Sequence, residues 1–75
     1  MKAKTQLDYI TQKTNDDGKV RYCFADGRSY YWFKGSKKNH LDEKMLSIEK
    51  GTNCELTLDV YLINGRYYMT LDRCE

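Results

Sequence analysis

Six cations and six aromatic rings fall within the twenty residues Lys19–Lys38, KVRYCFADGRSYYWFKGSKK, against a single acid, Asp26. Lys and Arg offer charge to phosphates, and an aromatic ring offers a π-face on which any base can stack. The stretch therefore has the chemistry of a grip on single-stranded nucleic acid, DNA or RNA. Its candidate phosphate contacts are Arg21, Arg28, Lys34, Lys37 and Lys38, and its candidate stacking residues are Tyr22, Tyr31 and Trp32. The same residue types also serve as core and cross-strand pairs in any small β-rich protein.

Other chemistry finds little support. His40 is the only imidazole, and neither Ser29 nor a cysteine has a reason to lie beside it. The acid pairs Asp16-Asp17 and Asp42-Glu43 fall at a turn and at a helix start, where they have structural work. No glycine-rich phosphate loop follows a strand and opens a helix. Cys23, Cys54 and Cys74 are odd in number and widely spaced, which fits reduced thiols better than disulfides or the paired ligands of a zinc site. The expectation is a non-enzymatic chain without metal or cofactor.

The elements that must position the ribbon follow in order. Thr5–Lys13 reads as a first strand with imperfect alternation: Leu7 and Tyr9 share a face and Ile10 takes the other, from burial on both sides or from a bulge. A polar turn, Asn15–Gly18, leads to Lys19–Ala25, where Val20, Tyr22 and Phe24 alternate with Arg21, Cys23 and Ala25. Asp26-Gly27 is a hairpin signal. Beyond it either Tyr30 and Trp32 or Tyr31 and Phe33 must share the face of Arg21, and the proposed grip depends on that row being exposed. Gly35–Lys38 reads as a flexible basic link. Asn39 is placed to cap a helix carrying Leu41, Met45 and Ile48 on one stripe, with Gly51 as its stop. Leu56, Leu58, Val60 and Leu62 alternate along a fourth strand. Asn64-Gly65 is the preferred two-residue turn into a fifth, with Tyr67, Met69 and Leu71 on one face.

Three strands, a helix and two strands resemble, in element order, the OB fold, a small five-stranded Greek-key barrel. The resemblance is one of topology and pattern, and it implies an antiparallel barrel whose second and third strands bind the ligand. An α+β open antiparallel sheet with the helix on one face is the competing architecture. Seventy-five residues make one domain, residues 1–75. The net charge of +2 hides a ribbon at +5 and an acidic half, residues 39–75, at −3. No apolar run spans a membrane and the amino terminus lacks signal-peptide character, so a cytoplasmic setting is expected. Tyr, Trp and Arg enrichment also fits a protein interface. The compact, proline-free make-up resembles that of small phage-encoded proteins that inhibit or redirect a host protein. A homodimer through exposed strand edges would use the same features.

Overall fold

The computed structural model describes residues 1–75. Five strands close into a barrel in the order β1-β2-β3-β5-β4: β1 (Lys2–Thr14), β2 (Val20–Ala25), β3 (Tyr30–Gly35), β4 (Asn53–Ile63) and β5 (Arg66–Cys74). One helix, α1 (Leu41–Ser47), lies between β3 and β4. This is the OB-like topology, and the open sheet is excluded. All neighbours run antiparallel except the closing pair, β3 with β5, which is parallel and joins only Lys34 to Thr70 and Gly35 to Leu71.

β1 serves two neighbours in succession. Lys2–Asp8 pairs with β4 and Asp8–Thr14 with β2. The change of partner comes with a register shift between Tyr9 and Thr11. Ile10 is the extra residue, so the broken alternation marks a bulge that bends the strand around the barrel.

The interior is filled by Leu7, Tyr9, Tyr22, Phe24, Phe33, Leu56, Leu58 and Leu71, with Leu41 and Met45 of α1 packed into the same cluster. The rings of Tyr9, Phe24 and Phe33 form a tilted chain with centroids 5.5 and 6.1 Å apart. Two buried rings keep their hydroxyls satisfied: Tyr9 donates to Gln12 Oε1 at 3.2 Å, and Tyr22 to Asp42 Oδ1 at 2.9 Å.

Several local expectations change. Asp26-Gly27 does mark the β2–β3 hairpin, but within a four-residue loop, with Ala25 paired to Tyr30. Asp26 organises that loop by accepting the Arg28 and Ser29 backbone N–H groups, both at 2.9 Å. Asn39 does not cap α1: Asn39 and His40 both take left-handed backbone (φ 60 and 53), and no side chain caps the helix. The helix stops at Ser47, before Gly51, because Gly51 N–H donates to the Tyr9 carbonyl and Tyr9 N–H to the Thr52 carbonyl, drawing the chain back into the sheet. Asn64-Gly65 does form the expected tight turn, both at positive φ, with Ile63 opposite Arg66. Yet only the near halves of β4 and β5 line the core. Val60 is the last β4 residue bonded to the β1 side, through Met1, and Thr70 the first β5 residue paired with β3. Residues 61–69 therefore stand out as a two-stranded ribbon. No helix is long and apolar enough to cross a membrane.

Closure depends on a missing side chain. A Cβ at Gly35 would lie 2.7 Å from Tyr22 Cε2 and 3.2 Å from Leu41 Cδ2, in the core beside the closing pair. Gly35→Ala is expected to destabilise the domain by ~1–3 kcal/mol through overpacking. Urea denaturation checks this, and an unchanged midpoint would refute the close approach as a constraint.

Candidate nucleic-acid interface

Register fixes which side chains share the outer surface of β1, β2 and β3. Tyr22 opposite Phe33, and Phe24 opposite Tyr31, form the inward rows. Arg21 opposite Lys34, Cys23 opposite Trp32, and Ala25 opposite Tyr30 form the outward rows. On the β1 side Lys13 stands opposite Arg21 and Thr11 opposite Cys23. One face thus carries a cationic row, Lys13–Arg21–Lys34, beside an aromatic row in which Trp32 is 49% and Tyr30 70% exposed. Cys23 is buried between Thr11 and Trp32, which leaves a small side chain in the middle of the face.

Two sequence candidates are displaced by this geometry. Tyr22 is 1% exposed, its ring beneath Gly35 and its hydroxyl on Asp42, so it cannot stack a base. Tyr31 belongs to the inward row, and its hydroxyl donates to Asp26 Oδ2 at 2.9 Å, bracing the β2–β3 loop. That bond and the two backbone donors hold the Asp26 carboxyl below its ordinary range, the backbone groups contributing most. Arg28 lies in the same loop, six residues from Lys34 and so roughly 20 Å along the strand direction. Arg21, Trp32 and Lys34 stand together as expected.

Lys34 also forms the floor of an open groove of about 520 Å³. Its walls are Asp17, Gly18 and Lys19 from the β1–β2 loop, Ser36 and Lys37 from the β3–α1 link, and Tyr61 and Thr70 from β4 and β5. The Lys19 ammonium beside it pushes the Lys34 pKa down, with Arg21 adding to the effect. Lys19, Lys34 and Lys37 line the groove with two carboxylates, Asp17 and Asp42, so cations outnumber acids there by one, and Asp17 partly opposes the Lys19 effect. A larger hollow of about 670 Å³ beside α1 is lined by His40, Glu43, Lys44, Arg73 and Glu75 among others, with no dominant charge.

The link carrying Lys37 and Lys38 is anchored rather than flexible. Asp72, 3% exposed, is the extra residue of a β5 bulge, since Thr57 pairs with Arg73 and Leu58 with Leu71. Its carboxylate accepts Lys2 Nζ at 2.7 Å, and Ser36 Oγ and Asn39 Nδ2 at 3.2 Å each. Lys2 also meets Asp59 at 2.6 Å. Ser36 and Asn39 flank Lys37 and Lys38, so this one carboxylate sets where the link's cations sit.

Sequence reasoning missed Lys13, Lys19 and Tyr61 as members of the site. Lys13 was recoverable from hairpin register across Asn15–Gly18 and Lys19 from the register of β2 with β3, whereas Tyr61 approaches Lys34 only through barrel closure. The cysteines are all buried, and burial pushes Cys23 up and Cys74 up to about 12, away from thiolate reactivity. No three His, Cys, Asp or Glu side chains converge as metal ligands do.

Lys2 holds the Asp72 pKa below its ordinary value, assisted by Ser36. A lowered folded-state carboxyl contributes stability that is complete above the unfolded pKa and is lost as pH falls through the folded one. Asp72→Ala is expected to cost ~1–3 kcal/mol at pH 7, with a smaller difference from wild type once both are measured below the folded-state pKa. Urea denaturation across pH tests this, and a difference that grows on acidification would contradict it. No protein-family model, curated protein or solved structure matches this chain.

Proposed function

We propose that this protein is a non-enzymatic module that binds single-stranded nucleic acid on the outer face of β2 and β3. The observation that carries the proposal is the shared face: Tyr30 and Trp32 exposed in one column, Arg21 and Lys34 at its end, and Lys13 alongside. Residues two apart on a strand lie ~6.7 Å from each other, room for successive bases to unstack from one another and stack on the two rings. The cationic row and the Lys19–Lys34–Lys37 groove lie at one end of that column, where the backbone of a bound strand would run. OB folds use this face and the β1–β2 and β4–β5 loops for oligonucleotides. The three free thiols fit a reducing, cytoplasmic setting.

Trp32 is the only tryptophan, so its own fluorescence reports the contact. Titration with a fluorescein-labelled oligothymidylate at ~50 mM salt should give binding that weakens steeply as salt rises. Trp32→Ala is expected to weaken it by ~1–3 kcal/mol, and Lys34→Ala to reduce the slope of log K against log salt by ~0.7. Absence of binding at low salt, to oligothymidylate and oligouridylate alike, would overturn the proposal.

A further inference from the structure

Apart from Tyr61, which also borders the Lys34 groove, the ribbon beyond the barrel lies outside that site, and its composition is unlike the rest of the surface. Tyr61, Leu62, Ile63, Tyr67, Tyr68 and Met69 are each between 46% and 68% exposed, within one hairpin whose sole charge is Arg66. Cross-strand pairs put Leu62 and Tyr67 on one side and Tyr61 and Tyr68 on the other, so neither side is polar. With ~150–250 Å² on each aromatic side chain, half-exposure of Tyr61, Tyr67 and Tyr68 leaves roughly 300 Å² over the two sides, and Leu62, Ile63 and Met69 add to it, a substantial share of the ~800 Å² that one partner contributes to a standard interface.

The hairpin also has an open edge. Leu71 directs its carbonyl toward β3, where it accepts Ser36 N–H at 2.8 Å. Alternate residues of a strand direct their backbone groups to the same side, so Met69 and Tyr67 direct theirs along the same edge. The parallel pairing of Lys34 with Thr70 engages the Met69 carbonyl, and beyond it the Met69 N–H and both backbone groups of Tyr67 face no strand.

We infer that the occupant of this ribbon is a second copy of the chain, added antiparallel, β5 against β5, about a two-fold axis. A two-fold contact needs a self-complementary patch, which an unpaired strand edge supplies in its backbone and an apolar ribbon in its side chains. One Arg per hairpin introduces little like-charge repulsion. The same scarcity of cations makes the ribbon a poor phosphate surface, and it leaves the β2–β3 face of each copy open. The assignment stands independently of what that face binds.

Sedimentation velocity on the full chain between about 5 and 200 µM tests it through the concentration dependence of the mass. The expected species at high concentration has twice the 8.9 kDa of one chain. The double variant Leu62→Ser, Tyr67→Ser is expected to raise the dissociation constant ~30-fold or more. Met69→Pro breaks no ladder bond within the monomer but blocks strand addition on this edge, and it should act likewise. Thermal melts establish that each variant folds. A wild-type chain monomeric throughout overturns the inference, as does a dimer indifferent to both variants. A monomer whose oligonucleotide affinity falls in the double variant would reassign the ribbon to nucleic acid.

Discussion

The barrel is closed by two residue pairs, and much of the molecule depends on them. Lys34 beside Thr70 and Gly35 beside Leu71 are the only paired positions between β3 and β5. A chain this short gains stability from leaving no sheet edge open around its core. Closure demands that β3 approach the Tyr22 ring, and only a residue without a Cβ allows it. Tyr22 can lie there because Asp42 of α1 takes its hydroxyl proton in a hydrogen bond. The seam, the helix entry and the largest inward ring are thus one packing unit.

The same seam organises the outer surface. By joining β3 to β5 it brings Lys34 next to Thr70 and under Tyr61, which turns a strand end into a groove. Ser36 and Asn39, just past the seam, meet Asp72 at the β5 bulge, and Lys2 arrives from β1 to balance Asp72 and Asp59 together. Two nearly buried carboxylates around one partly exposed ammonium would be costly without the added Ser36 and Asn39 donors. Their arrangement fixes a link that its glycine and lysines alone would leave loose.

Hydrophobic periodicity was the legible part of the fold. Period two placed five strands and the Leu41–Met45–Ile48 stripe placed one helix, in the right order, and the doubtful alternation at Leu7–Ile10 was a bulge. Asn64-Gly65 was legible because a two-residue turn is decided by its own φ angles. Asp26-Gly27 marked the hairpin but not its length, because the Asp26 side chain captures two backbone donors and opens the loop to four residues. Asn39 was misjudged because Asp72 and Arg73, over thirty residues away, claim its amide. Within the site, alternation narrowed the aromatics to two rows, but only closure determined that Tyr31 and Phe33 face inward and Tyr30 and Trp32 outward. Tyr61 could not be read in advance, since it meets Lys34 through tertiary approach alone.

Alternation was legible along the long fourth and fifth strands, but not how far it is covered. Leu56, Leu58, Val60 and Leu62 read as one row, and as a row they share a face with Tyr67, Met69 and Leu71. The core ends before the row does: Leu56 and Leu58 are enclosed, Val60 is half-buried, and Leu62 stands in the open. A hydrophobic pattern reports which side chains share a face, not how far the neighbouring strands extend to cover it. The excess of apolar pattern over available cover lies just past the seam, where β5 loses β3 and β4 loses β1. An apolar strand pair whose cover stops there has its remaining surface and its unpaired backbone directed at the same place. One contact between two copies, as inferred above, would bury both, on a surface whose single charge is Arg66.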